Sequence, residues 1–244
     1  MGKDCLLVRN QAEQAATALL EYTKKKKGKE QSLLGDVDTC SLIITVKKIS
    51  TPVRHKPKRI PLKHSLHSPG ETEICLFIKD DKEATRALLA SKNVEGISKI
   101  LTLTSLRRKY KTFEAKRQLS SLYDFFLCDA DIYHLLPRYL GKKFFEKKKR
   151  PHPVDMKKKD LKGEFDKARD ATYLHLGMGA CSALQVGHTG MTVEMLSRNI
   201  MAVAEALTKA IPRGWRNIQS AHLKTVDSTA LPLFIAKPTA PKKV

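Results

Sequence analysis

Five consecutive apolar residues, Ile74-Cys75-Leu76-Phe77-Ile78, run without alternation. A strand with one wet face alternates. An unbroken run marks a strand covered on both faces, as in parallel sheets flanked by helices. A second such run, Tyr123-Asp124-Phe125-Phe126-Leu127-Cys128, lies downstream. Between the two, Ala84, Ala87, Leu88 and Leu89 mark a helix, and Gly96 precedes a short strand at Ile97 to Leu101. Leu103, Leu106, Tyr110 and Phe113 mark one further helix, and Ile132, Leu135, Leu136 and Tyr139 a last one, with Pro137 near its middle. Strands alternating with helices predict a small parallel α/β domain over about residues 71–153.

The flanks read differently. Val8, Ala12, Ala15, Leu19 and Tyr22 recur at spacings of four, three, four and three, so Leu7 to Glu21 is expected to be helical, ended by Lys24 to Lys27 and Gly28. Leu42, Ile44 and Val46 alternate with Ile43, Thr45 and Lys47 as in a half-buried strand. Lys56 to His64 holds Pro57 and Pro61 and suits only an edge strand, and His64 to Glu71 reads as a linker. Beyond the α/β stretch, Thr172 to Leu176 and Ala180 to Val186 look like two strands of a hairpin turning at Gly177-Met178-Gly179. Thr192 is a suitable N-cap for a helix whose Val193, Leu196, Ile200, Val203, Leu207 and Ile211 repeat at three and four, ended by Pro212. Ile218 to Val226 and Leu231 to Ile235 supply late strands. The expected domains are therefore a discontinuous α+β layer over residues 1–70 and 154–244 and an inserted parallel α/β domain over 71–153. Residues 138–162 carry eleven Lys/Arg against three acids and read as a basic connection between them.

Charge narrows the function. Lys+Arg total 46 against 25 Asp+Glu, a formal net charge of +21. That excess asks for a polyanion, nucleic acid before membrane. The apolar stretches are strand-sized, whereas a spanning helix needs about 20 apolar residues. The first residues hold no apolar signal core, and Leu6 stands where a myristoylation motif wants Ser or Thr. A soluble, unsecreted chain is expected, with no membrane partner. Cys5, Cys40, Cys75, Cys128 and Cys181 are widely spaced without a CxxC pair, so they read as reduced thiols. His64, His67 and Cys75 do not make a metal set. Asp129 and Asp131 follow a buried strand, where catalytic acids can sit, but helix capping accounts for Asp131. Gly187-His188-Thr189-Gly190 reads as a strand-to-helix turn. The clusters Lys24 to Lys27, Lys142-Lys143, Lys147 to Arg150 and Lys157 to Lys159 suit phosphate contact. No catalytic residue, metal ligand or cofactor is expected.

Short stretches in a fixed order resemble one family. They are Ile74 to Phe77 with Lys79-Asp80, Tyr110 to Lys116 (YKTFEAK), Tyr123 to Asp129 (YDFFLCD), Leu135-Leu136-Pro137 with Gly141, Cys181 to Met191 (CSALQVGHTGM), the helix bearing Asn199, and Lys224 to Leu233 (KTVDSTALPL). The chain resembles the ribosomal protein L-one family over about Leu7 to Phe234, in particular its nucleolar branch of ribosome biogenesis factors. The resemblance implies an α/β, two-domain fold: a split α+β layer built from both chain ends, with an inserted Rossmann-like parallel α/β domain. It further implies a non-enzymatic nucleolar protein that binds structured precursor ribosomal RNA, meets other proteins of the pre-ribosomal particle, and is a monomer outside it. The family's RNA-binding loop reads Ser-Thr-Met-Gly-Pro-Gly; here the residues are Ser228-Thr229-Ala230-Leu231-Pro232-Leu233, and Asp36 stands at the family's Phe. Ser228, Thr229 and Thr39 are expected to keep that surface. Lys47, Lys48 and the basic segment Lys147, Lys148, Lys149 and Arg150 are expected to add phosphate contacts. The rival readings are a protein–protein adaptor that has lost RNA recognition and an enzyme working around Asp129 and Asp131.

Overall fold

A computed structural model describes residues 9–29, 37–49, 56–67, 72–79, 81–94 and 96–237. Val8, Asp36, Asp80 and Cys5, named above, lie outside them. In chain order the elements are α1 (Arg9–Lys29), β1 (Thr39–Val46), β2 (Lys58–Pro61), β3 (Ile74–Ile78), α2 (Lys82–Ser91), β4 (Ile97–Thr102), α3 (Leu103–Lys109) and α4 (Phe113–Leu122). Then come β5 (Phe125–Asp129), α5 (Leu136–Leu140), α6 (Lys142–Glu146), β6 (His152–Val154), α7 (Leu161–Arg169), β7 (Ala171–Leu174), β8 (Cys181–His188), α8 (Val193–Ala210), β9 (Ile218–Lys224) and β10 (Leu231–Ile235). The described residues up to Leu66 and from Thr172 onward form a first compact unit, and His67–Ala171 a second.

The second unit holds a four-stranded sheet in the order β4-β3-β5-β6, with parallel ladders throughout. All five residues of β3 are buried, as the unbroken apolar run requires. Phe77, Phe126 and Phe144 are fully buried; Phe77 stacks on Phe126 at 5.8 Å, and Phe144 meets Phe126 edge-on at 5.0 Å. Two helices stand where one was expected. Thr102 and Thr112 each cap a new start, accepting from Ser105 N (3.1 Å) and Ala115 N (3.3 Å). Phe113, at the first position of α4, is 80% exposed and not part of a buried stripe. Pro137 sits in the first turn of α5, where its missing N–H costs nothing, rather than mid-helix.

Residues 138–162 are not a connection. Leu140, Phe144, Val154 and Leu161 are buried, and β6 adds to the sheet beside β5. The charged residues cover the outside of a short helix and an edge strand whose apolar positions are too few to read through them. With β6 and α7 included, the second unit runs to Ala171, past the boundary at 153 expected from composition.

The first unit holds an antiparallel sheet in the order β10-β9-β1-β8. Its central strand, β1, comes from the N-terminal segment and its neighbours from the C-terminal one. Cys40, Leu42, Ile44 and Val46 point to one face, where α1 and α8 close the core. Leu196, Ile200, Val203 and Leu207 of α8 are buried there, as their spacing predicts, and Thr192 caps the helix. In α1 the expected Ala12, Ala15 and Leu19 are buried, together with Ala16, Leu20 and Thr23; Tyr22 is 44% exposed, and the helix runs on through the lysines to Lys29. The expected hairpin at Gly177-Met178-Gly179 does not form. β7 is fully buried and pairs with β2, so β7 and β8 belong to different sheets.

Each ladder of the large sheet carries one bulge. The extra residues are Val186 in β8, Gln219 in β9 and Leu233 in β10. A bulged residue leaves the ladder incompletely paired. The Gln219 carbonyl accepts from Ala236 N at 2.8 Å. The Val186 carbonyl accepts from Nδ2 of the fully buried Asn199 on α8, at 3.0 Å. The same amide donates to His64 O (3.0 Å) and accepts from His64 N (2.9 Å). A Cβ at Gly187, beside the bulge, would lie 2.6 Å from Leu196 Cδ1, so the Leu196 side chain would have to shift to admit one.

Candidate nucleic-acid interface

One end of the first unit's sheet gathers the start of β1, the end of β8 and the turn after β9. Thr39 lies opposite His188, and Ser41 lies between Gln185 and Lys224. Asp38 and Thr189 lock this end: Thr189 Oγ1 accepts from Asp38 N (3.1 Å), and Thr189 N donates to Asp38 O (2.9 Å). In the turn between β9 and β10, Ser228 is only 8% exposed. Its hydroxyl accepts from Thr225 N (2.9 Å) and donates to Thr229 O (3.0 Å), so it caps the turn from within. Thr229 is exposed. Lys26 Nζ lies 3.6 Å from the Asp227 carboxylate, which brings the basic end of α1 to the same turn.

The strand alternation carries this surface along the sheet. The face away from the helices presents Ser41, Gln185 and Lys224 in one row and Ile43, Ala183, His222 and Pro232 in the next. A third row holds Thr45, Cys181 and Ser220, with Thr45 Oγ1 3.5 Å from Cys181 Sγ. Hydroxyls, an amide, an imidazole and one ammonium on an open pleat can meet phosphate and ribose oxygens without reading sequence. The opposite face is chemically quiet. Burial, helped by Asp38, pushes the Cys40 thiol up to about 11, so it stays protonated.

Lys47 and Lys48 are exposed at the far end of β1. The eight-residue strand spans about 23 Å from Thr39 to Val46, and the two lysines lie beyond that. Asn217 holds them: its Oδ1 accepts from Lys48 N (2.9 Å), its Nδ2 donates to Lys48 O (2.9 Å), and its carbonyl accepts from Lys47 N (2.7 Å). Thr39 and the turn bearing Ser228 and Thr229 thus lie at one end of the sheet, and Lys47 and Lys48 lie at the other.

The segment Lys147 to Arg150 belongs to the second unit and is engaged within it. Lys147 Nζ donates to Ser121 Oγ (2.9 Å), and Lys149 Nζ donates to Tyr123 O (2.8 Å) with Asp124 at 3.7 Å. Arg150 lies over the Phe145 ring at 5.6 Å. Lys148 is exposed, with a left-handed φ of 57°. Exposed ion pairs contribute about 0–1 kcal/mol, so an RNA phosphate can displace such partners.

The other candidates resolve locally. Asp129 Oδ1 accepts from Asp131 N (3.3 Å), and Asp131 pairs with Lys157 at 2.8 Å. Burial raises the Cys75 thiol to about 12 and raises Cys128 further, which keeps both un-ionised. His67 packs its ring 4.7 Å from Phe125. Among the described residues no His, Cys, Asp and Glu group could hold a metal, and no helix is long and apolar enough to cross a membrane. Sequence reasoning missed Lys224, His188 and Thr189 as members of the sheet-end cluster. The alternation of His222 and Lys224 with buried Leu223 was the available signal for Lys224.

Residues 19–229 match the model of the ribosomal protein L1p/L10e family. The mouse (Mus musculus) Ribosomal L1 domain-containing protein 1 is 33% identical over 93% of this chain, which spans 52% of that protein. Ribosome biogenesis protein UTP30 of Saccharomyces cerevisiae is 27% identical over 91% of this chain and 89% of its own length. Large ribosomal subunit protein uL1 of Methanocorpusculum labreanum is 28% identical over 56% of this chain and 63% of its own. The chain therefore spans about half the length of the mouse relative.

Proposed function

The chain belongs to the ribosomal protein L1p/L10e family, and from that premise we propose that it is a non-enzymatic RNA-binding factor of ribosome biogenesis. It holds structured precursor ribosomal RNA in the nucleolus, among the proteins of a pre-ribosomal particle, and is monomeric outside it. Its first unit corresponds to the split α+β layer of the family and its second to the Rossmann-like insert. The observation that carries the reading is the sheet end where Thr39, Thr189, Lys224 and Thr229 meet the basic end of α1. A wide, shallow RNA minor groove offers 2′-hydroxyls and phosphates to such a surface, so shape selects the site. A net charge of +21 adds counterion release to the affinity.

One observation favours a protein–protein adaptor instead. The Ser228 hydroxyl is turned inward and both its hydrogen bonds are internal, so part of the loop's polar chemistry is spent on the turn. Titrating the purified chain against precursor ribosomal RNA fragments and an unrelated hairpin at about 0.15 M salt separates the readings. Preferential binding of a precursor fragment is expected, lost in Lys224→Gln. Equal, weak binding to both RNAs, with particle proteins still captured after ribonuclease treatment, would leave the adaptor. A fluorescent fusion excluded from nucleoli would overturn the assignment of place.

A further inference from the structure

The second unit carries an open groove of about 560 Å³ lined by Arg107, Arg108, Lys111, Lys116 and Arg138. Three elements and a loop converge on it. Arg107 and Arg108 come from the last turn of α3, Lys111 from the α3–α4 loop, Lys116 from α4 and Arg138 from α5. Among the described residues no carboxylate lines it. Cations at the end of α3 suit the helix dipole, but that accounts for only two of the five. Five of the nine lysines in residues 138–162 behave differently. Lys142, Lys143, Lys149, Lys157 and Lys158 lie within 4 Å of acids in their own unit, whereas the five groove cations, among the described residues, do not. The Lys116 stem passes beside Gly141, where a Cβ would meet it at an ordinary contact distance of 3.7 Å.

Two aromatic rings complete the groove, Tyr110 and Tyr139. Lys99 Nζ lies 3.4 Å from the Tyr110 hydroxyl, and the Arg107 guanidinium lies 5.8 Å over the Tyr139 ring. We propose that this groove is a second RNA contact, one that takes the phosphate backbone of a single-stranded segment with a base laid against the tyrosines. Guanidinium forks match phosphate oxygens bidentately, and aromatic platforms among cations are how single strands are held without sequence preference. An acidic peptide would satisfy the charge but leave the rings unused. The proposal rests on the reading of the chain as an RNA-binding factor and adds a site outside the first unit.

The test uses the whole chain, a fluorescein-labelled oligouridine and a folded precursor-RNA fragment. The groove variant is Arg107→Gln/Lys111→Gln/Arg138→Gln. The control, Lys82→Gln/Arg86→Gln/Lys92→Gln, removes the same charge from exposed positions on α2 and at its end, elsewhere on the unit. The groove variant should bind oligouridine about 10-fold or more weakly, and its salt slope should become shallower by about 2, at roughly 0.7 per phosphate contact on a single strand. The control should change affinity less than about 2-fold. Equal losses in both variants, or none in the groove variant, would overturn the site. Competition by polyglutamate as strong as by unlabelled oligouridine at matched charge would overturn RNA as its ligand. If the groove fails while the folded fragment still binds and Lys224→Gln still weakens it, the proposed function stands without this site. A chain that binds neither RNA overturns both.

Discussion

Replacing Asn199 with Ala should damage the first unit out of proportion to the atoms removed. The amide is fully buried and makes three hydrogen bonds, to the bulged Val186 carbonyl and to both backbone groups of His64. The buried Val186 carbonyl would lose that bond, at about 1–3 kcal/mol. The His64 groups are only partly buried, so water can replace some of what they lose, and each adds about 0.5–1 kcal/mol. The sum is about 2–5 kcal/mol, against a total of about 5–15 for a typical domain. With a urea m-value of about 2 kcal/mol/M, the midpoint of the first unit's transition should fall by roughly 1–2.5 M. Equilibrium urea unfolding gives this shift, and native-state hydrogen exchange should show the loss concentrated in β8 and the N-terminal half of α8. Asn199→Asp keeps an acceptor but loses the donor, so it should not rescue at neutral pH. A loss under about 0.5 kcal/mol for Asn199→Ala would refute the argument, because the bulge carbonyl would then have another partner.

Leu207→Ala removes a fully buried side chain from the α8 stripe and should cost about 2–5 kcal/mol by thermal or urea unfolding, with RNA binding falling alongside. Ser228→Ala should cost about 1–2 kcal/mol while affinity per folded molecule holds, because both hydroxyl bonds are internal. Thr229→Ala should change melting by less than about 0.5 kcal/mol and weaken RNA binding, and the opposite pattern in the pair would move the contact off this turn. Lys148→Gly should raise stability by up to about 1 kcal/mol, since the left-handed φ of 57° that ends α6 suits glycine. The logarithm of the RNA-binding constant should fall with the logarithm of salt at a slope of roughly −4 to −7, for about five to eight phosphate contacts, and a flat dependence would remove the electrostatic account.

What could be read from sequence follows the length of each periodic signal. The α8 stripe spans five turns, and its register leaves one solution. The runs at β3 and β5 have no wet face to confuse them. The region 138–162 hid its structure because α6 has five residues and β6 three, too short for any period, and the basic run Lys147 to Arg150 with two prolines stands between Phe144 and Val154. The hairpin reading at Gly177 failed for another reason. Two glycines make a turn legible, but not which sheet receives the strands on either side, and β7 is taken by β2. In the site, residue type predicted a hydroxyl-bearing turn but not its orientation. Ser228 looks inward because the orphaned Thr225 N–H needed an acceptor, and that is a property of the folded turn rather than of the sequence.

The large sheet also sets a timetable for the growing chain. Its central strand is made early, yet Thr45 faces Cys181 across 136 residues, and β9 is further still. At about 5–20 residues per second the ribosome needs roughly 7–27 s to deliver the first partner. Throughout that interval β1, apolar on one face and β-branched along most of its length, has both edges unpaired, while the whole second unit emerges and can close on its own parallel ladders. The vulnerable species is therefore a nascent chain with a finished insert and an orphan strand. Such a chain has reason to be met by a chaperone between the synthesis of residues 46 and 188, and truncations ending in that window should aggregate through β1.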